Sequence, residues 1–274
     1  MNLNNMMYPQ PPATINIVLF NGNDNVNEEN NITIPTAVTD GNGNDNIQLG
    51  QGNNTIAVGD GNDQIQAGNG NNTVVANTGP GHVNIHLGDG NNSVTVIDTS
   101  AGHADIQLGN GNNTIGAGDG QDNIHAGDGN DVVRAGNGND NIQLGNGNNM
   151  VFAGNGNDQI HAGNGMNTIG AGDGNDNVQL GNGNGNVVTL GNGQDNVQIG
   201  NGSHETVVVG NGQDNVHLGD GSFDNVTIGT GADNVQIGNG NSNTVFVPMM
   251  VNTHTQIKFG NGMMNAIVMM MPGE

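Results

Sequence analysis

The sequence predicts an all-β protein, a right-handed parallel β-roll or β-solenoid of two sheets with about 18 to 19 residues per coil. Three observations carry that reading. A nine-residue unit, G-[N/D]-G-x-[D/N]-x-[I/V]-x-aliphatic, recurs from Gly41 to Val247, as in Gly41 to Leu49 (GNGNDNIQL) followed by Gly50 to Val58 (GQGNNTIAV). Its fifth position alternates between Asp and Asn, so two units make one structural period. Finally, 50 of the 274 residues are Gly and 32% are hydrophobic, with five Phe, one Tyr and no Trp, too little bulk for a conventional globular core.

Three regions follow: residues 1–40 as N-terminal strands and a lead-in coil, residues 41–247 as eleven coils, and residues 248–274 as a Met-rich coil presenting an edge for subunit contact. Each coil is built the same way. Glycines at the first and third places of a unit allow the chain to reverse tightly, and the last four or five residues form a strand. Alternation points the seventh and ninth places inward, giving pairs such as Ile47 and Leu49, Ile142 and Leu144, or Ile56 and Val58. The two inward stripes meet as a thin aliphatic core. Bulging loops are expected where extra residues enter, at Asn77 and Thr78, Ile97 to Thr99, and Pro35 to Asp40.

Two turn columns differ in chemistry. The odd repeats, row A, hold Asp45, Asp63, Val83, Ala104, Asp122, Asp140, Asp158, Asp176, Asp195, Asp214 and Asp233 at the fifth place, with Asp105 one place along as a substitute in the fourth coil. The even repeats, row B, hold Asn54, Asn72, Asn92, Asn113, Asp131, Asn149 and Asn167, then lengthen to ten-residue units at Gly181, Gly200, Gly219 and Gly238, which contain Glu205 and Asp224. Outward from row A runs a Gln/His ladder that includes His86, His125, His161 and His217, read as solvent-facing members interchangeable with Gln. Row B faces out with Thr55, Thr73, Thr114 and Thr168 among apolar residues, which suits ice, a second fibre or a cell surface as well as plain strand propensity.

The formal net charge is −23 with only Arg134 and Lys258 as basic residues, so the acids cannot be neutralised internally. Bound cations must do it, because stacked carboxylates about 4.8 Å apart repel. Oxygen-only ligands suit several Ca²⁺ ions in a row better than Mg²⁺ with its strict octahedron. So acidic a chain disfavours nucleic acid and anionic lipid, and no apolar run is long enough to span a membrane. Cysteine is absent, which excludes disulfides and thiolate metal sites. No nucleophile, acid/base pair or phosphate loop stands out, and the repeats leave no room for an enzyme domain.

The turns AGDGND (Ala126 to Asp131), AGNGND (Ala135 to Asp140) and AGNGND (Ala153 to Asp158) resemble the repeats-in-toxin (RTX) nonapeptide, G-G-x-G-x-D-x-U-x, over roughly three-quarters of the chain. The chain departs from it by replacing the first glycine with Ala, Leu, Val or Ile and by omitting Asp from nearly all of row B. The resemblance implies that Asp45, Asp63, Asp122, Asp140, Asp158, Asp176, Asp195, Asp214 and Asp233 are calcium ligands shared between adjacent turns. Asp24, Asp105 and Asp131 are further candidates. It also implies type I-like export and calcium-driven folding outside the cell.

Met1, Met6, Met7, Met249, Met250, Met263, Met264 and Met269 to Met271 crowd the two ends, where flexible thioethers suit an adaptable contact surface. The expected function is therefore a structural subunit that pairs with copies of itself, head to tail, in an extracellular calcium-stabilised fibre. The alternative is a monomeric calcium-dependent ice-binding or adhesin-type module using the Thr-bearing face.

Overall fold

A computed structural model describes residues 14–97, 102–249 and 254–270. Met1, Met6, Met7, Met250 and Met271 lie outside them, as do residues 98–101. Among the described residues the chain forms 27 strands, from β1 (Ile15–Val18) to β27 (Ala266–Met270), and no helix. Odd-numbered strands make one 14-stranded sheet and even-numbered strands a 13-stranded one, each strand pairing with the second strand before and after it. Every pairing is parallel, as between β4 (Asn46–Leu49) and β6 (Asn62–Ala67), or β5 (Thr55–Val58) and β7 (Thr73–Asn77). The result is a two-sheet solenoid in which row A feeds the even sheet and row B the odd one. No helix among the described residues is long and apolar enough to cross a membrane.

Register follows from the repeat. Ile47, Ile65, Ile85, Ile106, Ile124 and Ile142 are successive partners in the even sheet, and Val38, Ile56, Val74, Val94, Ile115 and Val133 in the odd sheet. All are buried, facing each other across one aliphatic core. A slip of one residue would turn this whole set outward, so burial holds the register. The outer face of the even sheet carries the ladder Gln48, Gln66, His86, Gln107, His125 and Gln143 in register. Its members bond to one another, as His86 Nδ1 with Gln107 Oε1 at 3.2 Å.

Two loop expectations are corrected. Pro35 to Asp40 does not bulge: Thr36–Thr39 is strand β3, paired with β1 and β5, because T-A-V-T alternates and buries Thr36 and Val38. Nor does the chain bulge at Asn77, which pairs with Ile97, the two being the last residues of β7 and of β9 (Ser93–Ile97), while the rest of the loop expected over Ile97 to Thr99 lies outside the described residues. The strand expected over Thr14 to Phe20 is β1, four residues long.

The ten-residue row B turns absorb their extra residue in a left-handed backbone conformation. Gly185, His204, Phe223 and Ser242 have φ of 75°, 64°, 63° and 60°. The following residue then returns to the column position, which is why Asn186, Glu205, Asp224 and Asn243 are all buried. The His204 and Phe223 rings stack, with centroids 5.2 Å apart.

Coils pack so closely at the turns that side chains are excluded there. Gly156 has φ of 147°, and a Cβ on it would overlap the Gly138 carbonyl oxygen of the preceding coil. Gly116, in the strand β11 (Thr114–Gly116), has open space where its Cβ would stand. Gly156→Ala is therefore expected to destabilise the protein by more than ~1 kcal/mol in denaturant unfolding, while Gly116→Ala is neutral or stabilising by up to ~1 kcal/mol.

Candidate metal centre

The aspartates of row A are not turn decorations. Asp45, Asp63, Asp122, Asp140, Asp158, Asp176, Asp195, Asp214 and Asp233 are each no more than 3% exposed. Their turns place them at the entrance to a strand, with the carboxylate folded back along the solenoid axis. One oxygen of each ties neighbouring coils together. The Oδ1 of Asp140 accepts the N–H of Asp122, that of Asp158 the N–H of Asp140, and that of Asp176 the N–H of Asp158, at 2.9 to 3.0 Å. The same link joins Asp63 to Asp45, and Asp195, Asp214 and Asp233 to the residue one coil before. Asp122 accepts from the N–H of Ala104, since that coil has no acid in the column.

The other oxygen is the unusual one. The Oδ2 atoms of Asp45, Asp63, Asp140, Asp158, Asp176, Asp195, Asp214 and Asp233 are buried with no hydrogen-bond partner. Buried polar atoms are rarely left so, and a charged one costs most.

Row B shows what belongs in that place. Asn72 Oδ1 accepts the N–H of Asn54, as an aspartate would, while its Nδ2 donates to the carbonyls of Gly68 and Gly70 at 3.1 and 3.0 Å. Asn92 and Asn113 repeat the arrangement with Gly88 and Gly90, and with Gly109 and Gly111. The NH₂ group is thus a donor among carbonyl acceptors. In row A the glycines four and two places before the column residue are the same, Gly136 and Gly138 for Asp140, but an oxygen replaces the donor. An acceptor set of this kind calls for a cation or a proton.

Charge and burial agree with that. Burial pushes the carboxyls of Asp140, Asp176 and Asp214 up to about 7 and that of Asp63 to about 6, and neighbouring column carboxylates push the same way. Burial raises Asp158, Asp195 and Asp233 as well. Neither lysine nor arginine serves the column: the Arg134 guanidinium lies 5.5 Å from the Phe152 ring centroid, and Lys258 is exposed on the outer face of β26 (Gln256–Phe259). An all-oxygen, anionic and repeated donor set fits Ca²⁺, held by aspartate Oδ2 atoms with glycine carbonyls.

The remaining candidates fall in different places. Asp24 extends row A by one coil; its N–H donates to Asp45 Oδ1, and the carboxylates of Asp24, Asp40 and Asp45 lie within 4.8 Å of one another. Asp40, absent from the sequence-derived set because it precedes the first full repeat, is buried with its Oδ2 unpartnered. Asp131 stands in the row B column, its Oδ1 accepting from Asn113 and its Oδ2 unpartnered. Asp105 does not substitute in row A, which is a correction. Val83 and Ala104 fill the column there, and one step along a strand reverses the face, so Asp105 points outward. Glu205 and Asp224 join the row B column, each with a buried oxygen lacking a partner. Their signal in the sequence is the one-residue lengthening of these turns.

The family model of the RTX calcium-binding nonapeptide repeat (4 copies) matches residues 39–74 and, in overlapping stretches, 98–133, 107–142, 134–169, 143–178 and 152–187. No curated protein and no solved structure matches the chain significantly.

The raised carboxyls fix the sign of a pH effect. A folded-state value of about 6 to 7 against 3.8 unfolded means that the metal-free fold binds protons more tightly than the open chain. Its stability is then greatest below pH 3.8 and falls as pH rises towards about 7. In chelator, circular dichroism should show strand structure retained in acid and lost near neutrality; a metal-free fold more stable at neutral than at acid pH would contradict this.

Proposed function

Because the chain carries RTX calcium-binding nonapeptide repeats wound into a β-solenoid, we propose that it is a structural repeat protein folded by calcium, whose copies stack head to tail into an extracellular fibre. The observation behind the calcium half is the contrast between column residues: eight row A aspartates, Asp45, Asp63 and those from Asp140 to Asp233, end in unpartnered carboxylate oxygens where the row B asparagines Asn72, Asn92 and Asn113 end in satisfied amides. When bound, calcium supplies the positive charge that the chain lacks. Asp45, Asp63, Asp122, Asp140, Asp158, Asp176, Asp195, Asp214 and Asp233 would hold it, with Asp24 and Asp40 at the N-terminal side. Binding is then folding free energy, and low cytosolic calcium postpones folding until after export. RTX repeats are typical of exported proteins, which supports type I-like secretion, and we read the chain as a scaffold with no catalytic role.

Support for stacking comes from the two outermost coils among the described residues. Val18 and Phe20 are 66% and 81% exposed on one side, and Met263, Met264 and Met269 are 74%, 83% and 54% exposed on the other. Both ends present parallel strands whose outer backbone groups match the pairing used inside the solenoid. A second copy continues that pairing and covers the apolar residues. With 13 strands in the even sheet, one per coil, and ~4.8 Å between neighbours, the rise is roughly 60 Å per subunit. Negative-stain microscopy with calcium should show filaments of that repeat, lost in chelator; a monomer at high concentration in calcium would reject stacking while leaving calcium-driven folding intact.

One feature favours a second reading, an ice-binding or adhesin-type module. Thr55, Thr73, Ser93 and Thr114 are in-register neighbours on the outer face of the odd sheet, before Val132 and Met150 interrupt the row. Thermal hysteresis abolished by Lys at Thr73 and Thr114 would favour it.

The edge contrast yields a direct substitution test. Converting Asp140, Asp158 and Asp176 together to Asn installs the row B amide, so the variant should bind fewer calcium ions and keep more of its fold in chelator. Asn149→Asp should do the reverse. Calcium counting by equilibrium dialysis, with circular dichroism in chelator, reads both.

A further inference from the structure

The aspartate column is interrupted in two adjacent coils, where Val83 and Ala104 take the carboxylate's place. A different cluster stands beside that gap. The strands β8 (His82–Leu87) and β10 (His103–Leu108) pair with His82 opposite His103 and Ala104 opposite Val83. The two imidazole rings stack, with centroids 4.7 Å apart and planes 22° apart. Asp105 reaches both: its Oδ2 lies 3.4 Å from His82 Nε2 and its Oδ1 lies 3.3 Å from His103 Nε2. One ligand atom from each of the three residues falls within 4.8 Å of the others.

From this geometry we propose that His82, His103 and Asp105 form a site for a transition-metal dication of the zinc class, separate from the calcium edge. Ring-nitrogen polarity is the first reason. His103 Nδ1 contacts the backbone carbonyl of Gln121, so that nitrogen carries the proton and Nε2 of the neutral ring presents its lone pair. The lone pair then faces a carboxylate oxygen, which is repulsive until a positive charge comes between them. One dication between them satisfies all three groups. Such fixing of the tautomer by a carbonyl is also how metal-bound histidines are commonly oriented.

Distances are the second reason. Zinc bonds to imidazole nitrogen and carboxylate oxygen at about 2.0 to 2.2 Å, so adjacent ligand atoms of a tetrahedron stand roughly 3.3 to 3.5 Å apart. The two nitrogen–oxygen approaches, one to each oxygen of Asp105, are of that length, and one ligand atom from each residue lies within 4.8 Å of the others. Imidazole with a single carboxylate suits Zn²⁺, Co²⁺ or Ni²⁺ and is a poor set for Ca²⁺. The residues are only half-buried, and His103 borders an open cleft lined by Gly102, Gly120 and Gln121, so an ion has access and keeps a position for solvent.

The ladder histidines behave differently. His86 and His161 bond through Nδ1 to a glutamine side chain, as members that Gln replaces freely. In the cluster's own column the neighbours are Asn62 and Gln121, so two histidines in succession beside an acid are a departure from the repeat. By joining coils that lack the carboxylate, the ion would tie the solenoid together across the gap.

Calcium-saturated protein titrated with Co²⁺, in excess calcium, tests this. One Co²⁺ per chain should bind, with the visible absorption of a tetrahedral nitrogen/oxygen site, and Zn²⁺ should displace it. His82→Gln with His103→Gln, or Asp105→Asn, should weaken binding by more than the roughly 100-fold that loss of an outer partner costs, while His125→Gln leaves it unchanged. Calcium stoichiometry should not alter in any variant. In the unmodified protein, Zn²⁺ should shift the imidazole NMR signals of two of the eight histidines. Binding that persists in the double histidine variant, that excess calcium abolishes, or that perturbs no histidine signals overturns the proposal.

Discussion

One buried carboxylate oxygen, repeated coil after coil, is the feature that governs this fold. Each row A aspartate uses its Oδ1 to hold the backbone of the preceding coil, so the side chain cannot turn out to solvent without breaking a link between coils. Its Oδ2 is carried into the interior by the same commitment. Two carboxylates ~4.8 Å apart repel by roughly 3 kcal/mol at an effective dielectric of ~20, and a row of them compounds the cost. With two basic residues in a chain of net charge −23, compensation has to come from outside. In the proposed reading the fold is thereby conditional on a bound cation or, in acid, on protons.

The opposite edge isolates the cause. In the nine-residue turns the glycine spacing and the Oδ1 link are shared by both rows, and the column residues differ by one NH₂ group in place of one oxygen. An Asn turn closes its own hydrogen bonds; an Asp turn leaves them open. Since every carboxylate also caps the neighbouring coil, filling one site favours the next, as expected when a solenoid is stabilised through its nearest neighbours. Asp131, Glu205 and Asp224 place a few conditional turns on the otherwise self-sufficient edge.

Much of this is legible in the sequence. The two-unit period, the inward Ile, Leu and Val stripes and the aspartate column follow from counting, because period 2 within a strand and a fixed coil length leave little freedom. What the repeat cannot express is less visible. Spacing alone does not reveal that Asp140 is buried, nor that Asn72 donates where Asp140 has an oxygen; both depend on how the turn folds back on itself. Counting misplaces Asp105 because one position along a strand means the other face. It does not bring Glu205 into the column either, because the left-handed His204 restores the register that the extra residue would have broken. His82 and His103 each stand one place before a row A column residue, Val83 and Ala104, so counting aligns them, but the stacking of their rings and the reach of Asp105 to both appear only once the strands are paired.

Calcium on the aspartate edge is best checked by a crystal structure of the protein grown with calcium, with anomalous difference data. A line of calcium peaks is expected beside the Oδ2 atoms from Asp122 to Asp233, with none along the stretch from Asn54 to Asn113. An aspartate edge without peaks, or equal occupation of the asparagine stretch, would contradict a calcium-conditional fold.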